Sequence, residues 1–248
     1  MVLRQIGYPK ESILAGRNVS IASVAGQSDD VLHGSFRAEM KVEGANGGSV
    51  GAFFWYHDDL NEIDIEILTK EASSEELLMH YTTQPAMDEA KDVIKNATAA
   101  ISIKGDDVSN WFQRHRFDWD EEEIRFYHNG SLVHTNNIRV PSVAGRPLMN
   151  LWADGGIWSG TPSITNVYMR VKYVAIYHNT TASDSGSDLE FNDRCAGAGG
   201  LSDETVCLDI NVESGMVDPS SIGTSLAPVP FWALTLLWLF LGVVFTSL

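Results

Sequence analysis

Three carboxylates stand at alternate positions between Asn61 and Leu68, in the segment NEIDIEIL. Successive side chains of a β-strand point to opposite faces, so Glu62, Asp64 and Glu66 would share one face. Neighbours on one face lie ~7 Å apart, where three negative charges repel one another and raise the pKa of at least one. A solvent-facing strand that happens to be acidic is the alternative, but Asp and Glu are depleted in strands. The spacing therefore favours a chemical site.

Two carboxyls in different protonation states are what glycoside cleavage requires. One ionised carboxylate attacks the anomeric carbon, and one protonated carboxyl donates to the leaving oxygen. In retaining enzymes the two groups lie roughly 5–5.5 Å apart, a separation that Glu62 and Glu66 could reach by leaning toward each other. Asp64, between them, could then control the protons of both.

Aromatic and amide side chains are a second requirement of a sugar site, because a flat ring stacks on a sugar as readily as it fills a core. Asn150 and Trp152 share one face of the segment PLMNLW. Trp158 lies in a glycine-rich loop, where an indole is costly unless it is packed or used. We predict that all three contact substrate, and ordinary core packing is the alternative.

The histidines are scattered, and no two have metal-ligand spacing beside acidic ligands. We therefore predict neither a catalytic metal nor a cofactor. His80 and Tyr81 follow the carboxylate segment in the chain, so one of them is a candidate to contact a catalytic residue. A structural histidine is the alternative.

The elements that must position these groups are short strands. Each is rich in aromatic or β-branched residues and bounded by Gly, Asn, Asp or Pro, as strands typically are. The predicted strands span residues 35–42, 49–57, 61–68, 76–82, 98–103, 112–119, 123–128, 131–135, 147–152 and 168–178. Asn129 and Gly130 predict a two-residue hairpin turn. We expect an all-β sandwich of two antiparallel sheets, with which a jelly-roll topology is compatible. In the second of these segments two aromatic pairs alternate, and the sequence leaves open which pair faces the core.

Charge limits the partners of the protein. Asp and Glu number 33 against 17 Lys and Arg, so the net charge is −16. Such a chain repels phosphate backbones at long range, and we expect no nucleic-acid partner. The strand-rich region is long enough for one hydrophobic core, and we expect a monomer.

The C-terminal part of the chain has a different composition. We assign residues 1–178 to the strand-rich domain, 179–230 to an acidic, Ser/Thr/Gly-rich stalk, and 231–248 to a hydrophobic anchor signal or transmembrane segment. A small second domain is the alternative to the stalk, but its apolar residues are few. Cys195 and Cys207 are the two cysteines, and we expect one local disulfide between them, with two free thiols as the alternative.

Export is indicated by four Asn-X-Ser/Thr sequons and by the polar spacer SSIGTSLAPVP ahead of an uncharged tail. These features predict an extracellular, GPI-anchored protein at the cell surface, and a retained single-pass segment is the alternative. Residues 1–20 contain no apolar signal core. We therefore expect that a signal peptide and the first strands are missing from the start of this sequence.

Residues 33–178 resemble glycoside hydrolase family 16, whose motif is Glu-X-Asp-X-Glu or the same with one bulged residue inserted. The resemblance rests on NEIDIEIL, which has the unbulged form, together with HGSFRAEMKV, GAFFWYHDD, YTTQP, FQRHRFDWDEEEIRFYHNG and PLMNLWADGGIWSGTP. With the anchor signal, it points to an N-terminally truncated member of the GPI-anchored fungal type. It implies a concanavalin A-like jelly roll with a glycan cleft across one sheet. It also implies that Glu62 is the nucleophile, that Asp64 tunes and orients the carboxylates, and that Glu66 is the general acid/base of a retaining mechanism.

The resemblance extends to one further strand, 112–119. It places Trp119 at the cleft floor, and a core tryptophan is the alternative. Gln113 and His115 share the strand face of Trp119 and are predicted to contact substrate with it. They stand where family members commonly have His and Tyr, so the chemistry of the cleft is expected to be altered there.

Three functions are consistent with these observations. The first is an endo-β-glucanase that hydrolyses β-1,3 or mixed β-1,3/1,4 linkages. The second is a cell-wall transglycosylase, in which a sugar hydroxyl replaces water as the acceptor. The third is a catalytically silent, lectin-like glycan-binding module on the same sandwich, which the retention of all three carboxylates argues against.

Overall fold

The computed structural model describes residues 1–44 and 47–181. Within these residues lie twelve strands: β1 (Val2–Gln5), β2 (Ala22–Ala25), β3 (Val31–Glu43), β4 (Val50–Asp58), β5 (Asn61–Leu68), β6 (Glu76–Thr83), β7 (Thr98–Lys104), β8 (Gln113–Trp119), β9 (Ile124–His128), β10 (Ser131–Asn136), β11 (Arg146–Trp152) and β12 (Val167–Thr180). One short helix, α1 (Lys10–Leu14), and two 3₁₀ turns, Thr69–Glu71 and Val108–Asn110, complete the described elements.

The strands form two six-stranded sheets, and every pairing in them is antiparallel. The front sheet has the strand order β2-β11-β4-β5-β6-β7, and the back sheet has the order β1-β12-β3-β8-β9-β10. The predicted all-β sandwich of two antiparallel sheets is therefore confirmed. The carboxylate strand β5 lies inside the front sheet, between β4 and β6.

The core lies between the two sheets and explains why β5 has its orientation. Ile63, Ile65 and Ile67 are exposed by no more than 2% and pack toward the back sheet. Because the side-chain period of a strand is two, burial of these three residues sends the carboxylates to the opposite face. On β4, Phe53 and Trp55 are the buried aromatic pair, which settles the question that the sequence left open.

Back-sheet aromatic residues meet those of the front sheet across the core. The ring of Phe53 lies 5.8 Å from that of Phe117, and the ring of Trp55 lies 4.5 Å from that of Trp119. Contacts of this kind add a directional preference to the area that the rings bury. The predicted hairpin turn is also present: Asn129 and Gly130 have φ angles of 48° and 87°, and Ser131 pairs with His128. Positive φ at both positions is typical of the type I′ turn.

The prediction that β8 contributes to a glycan cleft is wrong. Gln113, His115 and Trp119 share one face, as expected, but they belong to the back sheet, face the core and are exposed by no more than 2%. The indole of Trp119 donates to the carbonyl of Pro141 at 3.1 Å, and Gln113 accepts a hydrogen bond from His128 at 2.9 Å. These residues are structural, because β8 pairs with β3 and β9 and not with β5.

Two short strands precede the first one that the sequence predicted. Val2–Gln5 pairs with β12 at one edge of the back sheet, and Ala22–Ala25 pairs with β11 at one edge of the front sheet. At the other end of the domain, β12 continues to Thr180, two residues past the predicted domain boundary. The rest of the stalk, the Cys195–Cys207 pair and the hydrophobic tail lie outside the described residues. Among the described residues, no helix is long and apolar enough to cross a membrane.

Candidate active site

The three carboxylates of β5 lie on the outer face of the front sheet, each in a row with its strand neighbours. Glu66 lies between Ala52 of β4 and His80 of β6, and Asp64 lies between Phe54 and Thr82. Glu62 pairs with Tyr56 at the β4 side. Because cross-strand partners point to the same face, these rows form the floor of one site.

A cleft of about 760 Å³ covers this floor. Its lining comes from β4, β5, β6, β7 and β11, from the segment 84–93 and from the loop that carries Trp158: Ala52, Phe54, Glu62, Asp64, Glu66, Thr82, Gln84, Pro85, Ala86, Met87, Asp88, Lys91, Val93, Thr98, Asn150, Trp152 and Trp158. A volume of this size is in the range of specific ligand sites. All three carboxylates line this cleft.

Asp64 is the most buried of the three carboxyls, with 6% of its surface exposed. Burial, followed by the negative charges of Glu62 and Glu66, holds the pKa of Asp64 well above its ordinary value. Asp64 also shares a hydrogen bond with Glu62 and receives one from the Gln84 amide at 3.5 Å. Asp64 is therefore the group that keeps a proton, and it donates a hydrogen bond to Glu62.

Glu62 is subject to opposing influences. Burial and the charge of Asp59 raise its pKa, while the hydrogen bond from Asp64 favours the ionised form. The net shift is upward. The hydrogen bond that Glu62 accepts from a neutral Asp64 stabilises the ionised form of Glu62.

Glu66 has the proton affinity of a general acid at neutral pH. Burial raises its pKa to about 7, the charge of Glu62 adds to this rise, and the hydrogen bond from Trp158 opposes it. The donor is the indole Nε1, 3.0 Å from Glu66 Oε2. A carboxyl with this pKa is protonated in a large fraction of molecules near neutrality and can also act as a base after it has lost its proton.

Three of the six predicted sugar-binding residues reach the cleft. Asn150, Trp152 and Trp158 line it, and Asn150 pairs with Ala52 in the same cross-strand row as Glu66. Within the part of the chain that the structure describes, the buried Oδ1 of Asn150 has no hydrogen-bond partner. The other three residues, Trp119, Gln113 and His115, are in the core, as described above.

Sequence reasoning missed the cleft residues contributed by β6 and by the segment after it. Thr82 and Thr98 face the cleft from β6 and β7, and their hydroxyls are hydrogen-bonded at 3.0 Å. Gln84 contacts Asp64, and the segment that follows folds back on itself through a bridge between Met87 and Val93. Thr82 could have been found by pairing β6 against β5. The segment 84–93 carries no periodic signal, so nothing in its sequence placed it at the cleft.

No group of three or more His, Cys, Asp or Glu side chains among residues 1–44 and 47–181 is arranged to hold a metal ion. Two side chains donate hydrogen bonds to the carboxyls of the site: Trp158 to Glu66 and Gln84 to Asp64.

Comparison with known sequences identifies the family. The family described as "Glycosyl hydrolases family 16" matches residues 9–175. The chain belongs to glycoside hydrolase family 16. Within this family, the chain is 31% identical over 136 residues to a beta-glucanase of Bacillus subtilis (strain 168), covering 52% of this chain and 51% of the relative. It is 32% identical over 154 residues to a beta-glucanase of Paenibacillus macerans, covering 58% of this chain and 60% of the relative.

These alignments span about half to three-fifths of the length of the curated relatives. Among solved structures, one described as a prokaryotic beta-1,3-1,4-glucanase (lichenase) derived from a mouse hindgut metagenome superposes with a TM-score of 0.56 and 22% identity. That likeness covers 72% of this chain and 79% of the other, and it shows the family 16 fold. The jelly-roll prediction is thereby confirmed.

Proposed function

We propose that this family 16 chain is a retaining endo-β-glucanase that hydrolyses β-1,3 or mixed β-1,3/1,4 linkages. One observation carries the proposal: three carboxyls on one strand face line a cleft, with Asp64 hydrogen-bonded to Glu62 and the Trp158 indole hydrogen-bonded to Glu66. Asp64 holds a proton, Glu62 accepts a hydrogen bond from it, and Glu66 has a pKa of about 7. The names of the aligned relatives, all beta-glucanases, support the substrate class.

In the first step, ionised Glu62 attacks the anomeric carbon, and the bond from that carbon to the glycosidic oxygen breaks. Glu66 gives its proton to the departing oxygen, and the products are a glycosyl ester on Glu62 and a free sugar hydroxyl. In the second step, ionised Glu66 takes a proton from water, and the water oxygen attacks the anomeric carbon. Glu62 leaves as a carboxylate, and Glu66 regains its proton.

Asp64 assists both steps without exchanging its own proton. Its hydrogen bond to Glu62 holds the carboxylate in position and stabilises it when it leaves the ester. Trp152 offers a flat surface to a sugar ring, and Asn150 lines the cleft with it.

Incubation of the purified protein with lichenan, laminarin and a fluorescent acceptor oligosaccharide tests the proposal. We expect shortened glucan chains with reducing ends of retained configuration, and NMR of the first products reads that configuration. Transfer of glucan onto the labelled acceptor without net hydrolysis would indicate a wall transglycosylase. Binding without any product, unchanged in Glu62→Gln, would indicate a lectin-like module and overturn the proposal.

We further propose that the enzyme acts outside the cell, held at the surface by a GPI anchor. Support comes from the uncharged residues 231–248, the polar spacer before them and the four sequons. An enzyme tethered in this way would meet glucan in the wall beside the membrane.

A further inference from the structure

His80 and Glu71 form a hydrogen-bonded pair that has no part in the mechanism above. His80 is the cross-strand neighbour of Glu66 on β6. His80 on β6 is 7% exposed, and its Nε2 is 2.6 Å from Oε2 of Glu71. Glu71 belongs to the 3₁₀ turn that follows β5. A carboxylate at this distance fixes the orientation of the imidazole, as carboxylates commonly do for functional histidines.

The imidazole contacts the residue that holds Glu66. The rings of His80 and Trp158 are 4.8 Å apart at 69°, which is a T-shaped contact. The Trp158 indole then donates to Glu66 at 3.0 Å. Glu71, His80, Trp158 and Glu66 therefore form a continuous chain of contacts that ends on the acid/base carboxyl.

Trp158 needs a packing contact such as the one with His80, because the loop that carries it is exposed to solvent. It is 39% exposed in a loop whose next-door residue, Ile157, is 99% exposed. The loop is held from the same 3₁₀ turn, since Lys70 donates to the Ile157 carbonyl at 2.7 Å. An indole on an exposed loop keeps one orientation only if its ring is packed on a fixed neighbour.

We propose that His80, held by Glu71, is a positioning residue for Glu66 and acts through the indole of Trp158. The proposal rests on the proposed function for the role of Glu66, but the contact chain itself exists in the free protein. His80 donates nothing to the reacting atoms. His80 holds the indole of Trp158 in one orientation, and that indole holds the carboxyl of Glu66. The proton of Glu66 is thereby kept in position for transfer to the leaving oxygen.

The contact chain is tested first without substrate. In ¹⁵N-labelled protein, the indole N–H signal of Trp158, assigned with Trp158→Phe, should have the downfield position of a hydrogen-bonded donor. In His80→Ala the signal should move upfield and broaden, and in Glu71→Ala it should do so to a smaller extent. Glu71 is partly exposed, so that variant leaves the core intact if His80→Ala folds poorly. An unchanged signal in folded Glu71→Ala and His80→Ala proteins would overturn the proposal.

His57→Ala is the matched control. His57 is also close to a carboxylate, with its Nε2 3.7 Å from Asp58, but it does not line the cleft. The indole signal of Trp158 should be the same in this variant as in the unaltered protein.

The functional consequence is tested with two leaving groups. On lichenan, we expect His80→Ala to lower kcat roughly tenfold, as a small misplacement of a catalytic group does, with little change in KM. On a dinitrophenyl β-glucan oligosaccharide, whose leaving group needs little protonation, the burst of glycosyl-enzyme formation should be nearly unaffected. An equal loss on both substrates would show a merely structural role and overturn the proposal. If the unaltered protein acts on no glucan but the indole signal responds as expected, the proposed function fails and the contact chain stands.

Discussion

Under the proposed function, Glu66 serves as both acid and base. Burial and the charge of Glu62 raise its pKa, and the indole of Trp158 draws it back toward the ordinary value, with a net result of about 7. The protonated form exists below this pKa and is lost as pH rises through it. The basic limb of the pH profile of kcat/KM should therefore report Glu66 in the free enzyme.

Trp158→Phe should move that basic limb to higher pH. Phenylalanine keeps an aromatic ring beside His80 but cannot donate to Glu66, so the ionised carboxylate loses a stabilising hydrogen bond. The measurement is kcat/KM on lichenan from pH 5 to pH 9. A basic limb that stays in place or moves to lower pH would contradict the assignment of that limb to Glu66.

Glu62→Gln should abolish glycosyl-enzyme formation and leave the fold intact. The amide keeps the volume and the hydrogen-bonding capacity of the carboxylate but removes the charge that attacks the anomeric carbon. Mass spectrometry after reaction with a fluorinated glucoside that traps the intermediate should show an adduct on the unaltered protein only. Near-normal activity in the variant would refute the nucleophile assignment.

At the scale of the element, β5 was predictable because its signal is entirely local. Alternation of Ile and acidic residues sets the two faces, and the structure buries Ile63, Ile65 and Ile67 as expected. On β8 the alternation was also recognised, but a single strand does not reveal which sheet it joins. Trp119 is buried against Trp55 because of strand pairings that are distant in sequence.

The edge strands show a second limit of local reasoning. Val2–Gln5 has only four residues and a mixed burial pattern, and it exists because β12 offers it a partner. The same holds for Ala22–Ala25 beside β11. The segment 84–93 has no period at all, and its place at the cleft follows from the end of β6, where Gln84 donates its backbone N–H to the carbonyl of Glu62.

The loop that carries Trp158 packs against Gly48, which precedes β4 by two residues. A substitution at Gly48 tests this contact. A Cβ on Gly48 would lie 2.2 Å from the Ser159 carbonyl oxygen and 2.4 Å from that of Gly160. Gly48→Ala should therefore displace the loop and cost about 1–3 kcal/mol, as overpacking does. Activity on lichenan should fall more steeply than stability alone explains, because Trp158 moves with the loop.

Gly105→Ala is the matched control for that variant, since its nearest neighbour would be the Val108 side chain at 3.9 Å, an ordinary contact distance. Thermal unfolding and kcat on lichenan should both stay close to those of the unaltered protein. A Gly48→Ala protein with normal kcat would show that the loop does not depend on this contact.

At the scale of the whole molecule, the core contains a histidine pair that should control acid stability. Burial lowers the pKa of His115 to about 3 and that of His128 to about 4, from an ordinary value of 6.5. The unfolded chain binds protons at these residues below pH 6.5, and the folded chain does not until pH 4 or lower. These two histidines should therefore lower the free energy of unfolding as pH drops from 6.5 toward 4, while the raised pKa values of Asp64 and Glu66 act in the opposite direction.

Urea unfolding across this range checks the expectation. His115→Leu should reduce the slope of stability against pH, whatever it does to stability at neutral pH. Glu66→Gln should make the slope steeper, because a carboxyl with a raised pKa adds stability as pH falls from 7 to 4.5 and its removal takes that gain away. An unchanged slope in His115→Leu would contradict this account.

The proposed anchor makes a separate prediction about the whole chain. When the protein is fused to a secretory leader and expressed in a eukaryotic host, residues 231–248 should be removed and replaced by a glycolipid. Phosphatidylinositol-specific phospholipase C should release it from the cell surface, and Leu237→Arg should prevent anchoring by interrupting the apolar signal. A membrane-bound product whose mass still includes the tail would show a retained transmembrane segment.

The strict alternation of β5 also constrains how the length of this strand can change. Each carboxylate is followed by an isoleucine that fills the core, so inserting or deleting one residue inside the motif would exchange the two sets of side chains beyond that point. A charged group would then be buried among Phe and Trp rings, and an isoleucine would face the glycan. Only a bulge that absorbs the added residue keeps both faces correct. The straight and bulged forms of the motif are therefore separated by a backbone rearrangement that locally disrupts the pairing of β5 with β4 and β6.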